Sequence, residues 1–258
     1  MVAAHLPEVR RSLRDQRFVP PTTTLHLVDR RGLRAWLDHI LELRLFMVVA
    51  PAGFGKTTLL SQFAGRAPAL TAWVSLDQLD ADPATLILDV FDSIRRHKPN
   101  AARRPAEALE RERSQGRGAV GSLATLLTEY LAELAEPVIV VLDDYHLAER
   151  GDAEGFTERF VSALVRDAAL EHLHLVVGSR EVPRFPFSRL VLRDRVEGVG
   201  QAELAFGTEE VRRYLELVRS QPVDLLEAEQ YRRQTEGWPA GIALLNAAPA
   251  HKLSLIHI

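Results

Sequence analysis

Ala50-Pro51-Ala52-Gly53-Phe54-Gly55-Lys56-Thr57-Thr58 follows an apolar run, Leu45-Phe46-Met47-Val48-Val49, and opens into Leu59-Leu60-Ser61-Gln62-Phe63. Strand, small-residue loop, Lys-Thr and helix, in that order, is the layout of a phosphate-binding P-loop. The chemistry explains the layout. Glycines at 53 and 55 let the backbone turn its N–H groups inward and approach a polyphosphate closely. A helix N-terminus adds partial positive charge. Lys56 is placed to reach β- and γ-phosphates, and the Thr57 hydroxyl to bind Mg²⁺. The usual pattern has a first Gly where this chain has Ala50, so the match is one residue short. A glycine-containing loop before a helix that merely carries a lysine is the competing reading.

A second stretch favours the first. Pro137-Val138-Ile139-Val140-Val141-Leu142-Asp143-Asp144 is an apolar run ending in paired carboxylates, the form of a Walker B strand. Asp143 is expected to hold Mg²⁺, directly or through water, and Asp144 to orient or deprotonate the attacking water. Read alone, the pair would pass for a polar turn after a buried strand.

Working outward, Asp82-Pro83 starts a helix, with Asp as N-cap and Pro at the first helical position, running to about Arg96. Thr71–Leu76, His172–Arg180 and Ala202–Phe206 read as strands. Helices are expected near 31–43, 56–65, 122–135, 153–165, 209–219, 224–236 and 238–247, with Thr208 as an N-cap. Residues 97–118, rich in Pro, Arg, Glu and Gly, read as a mobile surface loop. Several strands are apolar at every position, which predicts a parallel sheet covered on both faces. Ligands of such sheets bind beyond the carboxyl ends of the strands, where the P-loop and both acids stand.

Composition narrows the field. At 258 residues the chain can bury a sizeable core, and 47% apolar with 26% charged residues is the balance of a globular protein. A net charge of −3 supplies no general attraction to nucleic acid. Without cysteine there are no disulfides, thiol nucleophiles or Cys-ligated zinc, which fits a reducing compartment. No apolar run is long enough to span a bilayer, and Met1 to Arg17 has no apolar signal core, so a cytoplasmic protein with no membrane partner is expected. His146, His172 and His174 lack zinc-ligand spacing. Asp77, Asp80 and Asp82 read as a solvated turn plus cap, with Asp77 as a second acid near the water the minor alternative. Trp73 and Trp238 read as packing residues.

Five stretches resemble the nucleotide-binding module of the STAND class of signalling ATPases, especially that of the large LuxR-type transcriptional activators that include the maltose-regulon activator. They are Leu27–Leu33, Ala50–Thr58, Ala72–Asp77, Val141–His146 and Glu236-Gly237-Trp238-Pro239-Ala240, within residues 18–247. That family also accepts Ala at the first P-loop position. The resemblance implies an α/β, three-layer P-loop NTPase of ASCE type, with a central parallel sheet followed by a small helical subdomain. It implies that the strand ending at Arg180 lies between the P-loop and Walker B strands, and that Arg180 senses the γ-phosphate. Arg184, Arg189, Arg193 and Arg195 compete for that role, and a plain surface arginine is the alternative. Ala52, Gly53, Phe54, Gly55, Lys56, Thr57 and Thr58 would contact the phosphates. Val28 and Arg30 would line the adenine and ribose, and Pro239 would close over the base. For Val28 a core position, and for Pro239 a simple helix start, are the alternatives.

The resulting division is an irregular segment over 1–24, a nucleotide-binding domain over 25–206, a helical subdomain over 207–247 and a tail over 248–258. The tail, ending Lys252-Leu-Ser-Leu-Ile-His-Ile258, departs in style from the Ala/Arg/Leu-rich sequence before it and reads as non-native, and the whole as a fragment. The function expected is that of an ATP/ADP- and Mg²⁺-dependent switch module of a signal-responsive transcriptional regulator, hydrolysing slowly and self-associating when ATP is bound. Inducer and DNA would be contacted through regions outside this chain. A metabolic P-loop phosphotransferase and a non-catalytic ADP-holding scaffold are the alternatives.

Overall fold

The computed structural model describes residues 15–22, 28, 30, 33, 39–77, 82–115, 119–152, 154–184 and 195–248. Five strands form one sheet: β1 (Leu45–Val49), β2 (Leu70–Ser75), β3 (Val138–Asp143), β4 (Leu173–Ser179) and β5 (Val196–Val199). Their order is β2-β3-β4-β1-β5 and every pairing is parallel. The strand that ends before Arg180 therefore lies between the P-loop strand and the Walker B strand. This is an α/β, three-layer P-loop fold of the ASCE kind.

Alternate residues of each strand enter two separate cores, because successive side chains point to opposite faces. Leu45, Val74, Val140, Leu142, Leu175 and Val177 face one core. Helices α2 (Pro83–His97), α3 (Arg103–Gln115), α4 (Val120–Ala132) and α6 (Phe156–Arg166) cover it. Phe46, Val48, Trp73, Ile139, Val141 and Val176 face the other, packed with Leu59, Leu60 and Phe63 of α1 (Lys56–Ala64). This is why the central strands are apolar at every position. Trp73 is a packing residue whose indole N–H donates to Ser75 Oγ at 2.8 Å. The short helix α5 (His146–Gly151) follows the Walker B turn.

Beyond β5, the turn α7 (Gln201–Leu204) leads to three helices, α8 (Thr208–Arg219), α9 (Leu225–Thr235) and α10 (Pro239–Ala247). They share a small core of Val211, Leu215, Val223, Ala228 and Ile242. Arg219 ties them together, donating to Asn246, Glu227 and Tyr231.

Three local expectations are corrected. The stretch 97–118, expected as a loop, is helical over 103–115, because Ala106 and Leu109 give the segment a buried stripe and Pro105 falls in the first turn, where no intrahelical N–H is lost; 116–118 lie outside the described residues. Ala202–Phe206 is not a strand. The last strand is Val196–Val199, and the Glu203 carboxylate accepts the Gly200 N–H at 2.8 Å, which starts a helical turn instead. Gly207, not Thr208, is the cap residue of α8, and its N–H is taken by Glu210. Most of the helix expected over 31–43 lies outside the described residues; within it Ile40–Glu42 form a 3-10 turn. The tail from 249 onward and residues 1–14 and 23–24 of the irregular segment also lie outside them.

Candidate nucleotide-binding site

The chain leaves β1 at Val49 and reverses through residues 50–55 into α1. Gly53 and Gly55 both sit at φ 81°, the left-handed region that favours glycine. Their surroundings differ. A Cβ on Gly55 would meet nothing within 4 Å, so the loop there opens onto free space. A Cβ on Gly53 would stand 2.6 Å from Ala240 Cβ and from Trp238 Nε1. The helical unit rests directly on the P-loop at that point. Trp238 Nε1 donates to the Ala52 carbonyl at 3.0 Å, and the Ala240 N–H donates to the Gly53 carbonyl at 3.1 Å. Pro239, between them, is the first residue of α10.

Phe54 points away from the loop into the core below α1. Thr58 is half-buried in the first turn of α1. Lys56 is buried, and its ammonium donates to the Ala50 and Pro51 carbonyls at 2.7 and 3.0 Å. Burial lowers its pKa, while the nearby Asp144 and Asp143 carboxylates oppose that shift.

Thr57 Oγ1 donates to Asp143 Oδ2 at 2.7 Å, joining the two sequence motifs across 86 positions. Asp143 is buried, and its second oxygen, Oδ1, has no partner. Burial pushes its pKa up to about 6, against the stabilising hydrogen bond from Thr57. A buried, half-satisfied carboxylate beside a hydroxyl is a donor set short of a cation. The residues thus fit Mg²⁺ held jointly with a polyphosphate. Gly178 on β4 makes this packing possible: a Cβ there would lie 2.7 Å from Asp143 Oδ1. No sequence signal marked Gly178, although it is two residues before Arg180 in an otherwise bulky strand.

Asp144 follows at φ 57°. Its Oδ1 stands 4.0 Å from Arg180 Nε and 3.9 Å from His146 Nδ1. Among the competing arginines, Arg184 gives its backbone N–H to Glu149, and Arg195 pairs with Glu171 near the opposite, amino-terminal end of the strands. Arg189 and Arg193 lie outside the described residues. Asp77 pairs with Arg17 at 3.7 Å.

The two residues expected at the base are placed differently. Val28 is buried. Arg30 turns its guanidinium onto the segment between β5 and α8: it donates to the carbonyls of Leu204, Glu203 and Ala205 and pairs with Glu210 at 2.9 Å. It also lies over the Phe206 ring. With Nε and both terminal nitrogens so engaged, its side chain acts on the junction with the helical unit.

Comparison with known proteins places the sequence and the fold. Over 219 residues, 84% of this chain, the sequence is 31% identical to the HTH-type transcriptional regulator MalT of Vibrio cholerae. The chain is a P-loop NTPase module related to the MalT regulators. A second relative, MalT of Cronobacter sakazakii, is 28% identical over 240 residues, 92% of the chain. The module spans about a quarter of these relatives, covering 23% and 25% of their lengths. No protein-family model matches it. Two solved structures share the fold of the MalT-related module at a TM-score of 0.56. One is a STAND protein with a tetratricopeptide repeat sensor from Pyrococcus horikoshii, 16% identical, covering 89% of this chain and 31% of that one. The other is a Walker-type ATPase of Pyrococcus abyssi, 17% identical, covering 88% and 71%. Among the described residues, no helix is long and apolar enough to cross a membrane.

Proposed function

We propose that the module binds ATP or ADP with Mg²⁺ and acts as the nucleotide-dependent switch of a signal-responsive transcriptional regulator in the cytoplasm. The observation that carries this reading is the joint at Thr57 and Asp143, 2.7 Å apart, beside a glycine loop that the helical unit touches directly. Mg²⁺, if held by Thr57 and Asp143, would supply positive charge to offset that of a bound polyphosphate.

The chain's own residues then divide the work. Backbone N–H groups of 52–58 receive the phosphates, and Lys56 exchanges its two carbonyl partners for phosphate oxygens. Thr57 and Asp143 would hold the metal. Asp144 orients the attacking water and accepts its proton. Arg180 leaves the neighbourhood of Asp144 for the γ-phosphate, since a guanidinium binds a phosphoryl group in a fixed fork. Pro239 faces the base from the helical unit.

Because Trp238 and Ala240 bond to carbonyls of the same loop, any movement of that loop changes the seat of the helical unit. Shifting such an equilibrium from 1:99 to 99:1 takes about 5.5 kcal/mol. A few charge-assisted hydrogen bonds to the γ-phosphate, at roughly 1.5–3 kcal/mol each, are of the right size. Self-association in the ATP state, inducer sensing and DNA contact would belong to the longer protein, whose relatives are named as HTH-type regulators.

Calorimetry with MgATP and MgADP, alongside phosphate release, tests the reading. Saturable binding of both, with slow release of phosphate, is expected; absence of binding would defeat it. A second reading, a non-catalytic ADP-holding scaffold, draws support from the helical unit already seated on the loop. Retained ADP with no phosphate release would favour it.

A further inference from the structure

An open cavity of about 380 Å³ lies at the end of the sheet away from the P-loop. Small-molecule sites span roughly 300–1,000 Å³. Arg44 just before β1, His174 near the start of β4 and Arg195 just before β5 line it, so three parallel strands begin around it. Arg44 is buried. Its Nη1 donates to the Leu170 carbonyl and its Nη2 to those of Leu164 and Asp167, at 2.8 and 3.2 Å, while Nε has no hydrogen-bond partner. Carbonyls satisfy N–H groups without neutralising the charge behind them. Burial lowers the Arg44 pKa and the Arg195 guanidinium lowers it further, against Glu171 and Asp167. The floor of the cavity is therefore positive.

His174 is also buried, and its Nδ1 lies 2.6 Å from the Leu43 carbonyl oxygen. A carbonyl only accepts, so Nδ1 carries the proton. Burial lowers the pKa of the ring, and the charge of Arg44 acts in the same direction, against the Leu43 bond. The ring is thus neutral at pH 7, and Nε2 is a bare acceptor. The acids of the cavity stand at its rim with their side chains mostly in solvent. Glu171 reaches Arg195 at 3.4 Å, and Glu42 lies 3.8 Å from His39. The buried charge calls for an anion, and the bare nitrogen calls for a hydrogen-bond donor. An ammonium donor would be repelled by Arg44, and a doubly charged phosphate by the rim acids. A hydroxyl beside a single carboxylate meets both demands. We propose that the cavity binds a small hydroxylated monocarboxylate of the sugar-acid type. Its carboxylate sits on Arg195, above the buried charge of Arg44, and a hydroxyl donates to His174 Nε2.

Calorimetry on the whole chain with three matched probes tests it: D-gluconate, hexanoate without the hydroxyls, and sorbitol without the carboxylate. Gluconate should bind saturably, roughly 2- to 10-fold more tightly than hexanoate, the scale of one neutral hydrogen bond. Sorbitol should not bind measurably. Arg195→Ala should weaken gluconate about 10- to 100-fold, the loss of a charge-assisted bond. His174→Asn keeps an N–H for the Leu43 carbonyl and removes Nε2. Gluconate affinity should then fall to that of hexanoate, and hexanoate affinity should hold. Excess MgADP should leave gluconate binding unchanged, because the cavity and the P-loop lie at opposite ends of β1.

Absence of gluconate binding, hexanoate binding as tightly as gluconate, full affinity in Arg195→Ala, or displacement by MgADP would each overturn the proposal. Displacement would place the anion on the P-loop instead. If His174→Asn does not fold, Arg195→Ala and the wild-type comparison of gluconate with hexanoate decide. Failure of the protein to bind nucleotide would count against the ATPase reading alone, since nothing in this cavity depends on nucleotide.

Discussion

Trp238 donates its indole N–H to the carbonyl of Ala52 at 3.0 Å, across 186 positions of chain. That bond, with the Ala240 N–H on the Gly53 carbonyl, puts the helical unit in direct touch with the loop expected to hold phosphate. The tryptophan is a third exposed, and its ring lies against both Gly53 of the loop and Gly241 of its own helix.

Gly53→Ala should therefore do more than Gly55→Ala. Both strain a left-handed backbone, at about 1–2 kcal/mol. Only the Cβ at 53 also collides with Ala240 and Trp238. Hydrogen exchange at the Ala240 amide should accelerate in the first variant and stay slow in the second. Equal protection in both would mean that the seat does not depend on Gly53.

Lys56→Ala should weaken MgATP binding about 10- to 100-fold, the loss of roughly 1.5–3 kcal/mol. Titration calorimetry of variant against wild type reads this directly. Indistinguishable affinities would put the principal phosphate contact elsewhere.

Asp144→Asn should leave nucleotide affinity nearly unchanged and abolish turnover. The amide cannot accept the water's proton, yet it fills the same space. Phosphate release assayed beside calorimetry separates the two effects; persistent hydrolysis would move the base to another residue.

Asp143 makes the metal-free protein pH-sensitive. Its folded pKa, about 6, lies above the ordinary carboxylate value, so the folded state binds the proton more tightly than the unfolded chain. Stability from this group is present below about pH 4 and is lost as pH rises through 6, on the order of 2–3 kcal/mol. Urea denaturation of wild type without Mg²⁺ should show that loss, and Asp143→Asn should not. A parallel pH dependence in both proteins would assign it to other groups.

Arg30→Ala should loosen the junction with the helical unit. Removing a mostly buried guanidinium that serves three carbonyls and Glu210 should cost about 2 kcal/mol or more, and Arg30→Lys should recover little, because an ammonium lacks the planar fork. Thermal denaturation gives the cost. If instead stability holds and only nucleotide affinity drops, Arg30 faces the ligand in the bound state.

Much of the candidate site is legible as local pattern. The P-loop is contiguous, and its glycines, lysine and threonine each answer to a backbone or charge requirement within nine residues. The Asp82-Pro83 helix start is likewise a local signal, and Asp82 indeed accepts from the Ala84 and Thr85 N–H groups. Helix α3 reads as a loop because Pro105 and its charged residues, with Gly116 and Gly118 just beyond it, imitate one; only packing of Ala106 and Leu109 reveals the buried stripe. Strand β5 has no local signal, because Val196-Glu197-Gly198-Val199 has no apolar run, and pairing with β1 makes it a strand. Arg30 is expected at the nucleotide from the family resemblance alone, and the partners that hold its guanidinium lie more than 170 positions away, where no local pattern points to them.

Sequence alone determined which residues could form a phosphate cradle and an acidic strand end, since those demands concern backbone freedom, charge and spacing over a few neighbouring residues. Tertiary structure decided which of them meet. Thr57 reaches Asp143, Gly178 yields the room for it, Arg180 rather than Arg195 stands by Asp144, and Trp238 lands on Ala52. Each of those meetings depends on strand order and on the seat of one unit against another, and such long-range geometry is set by burial of two cores at once rather than by any local run of residues.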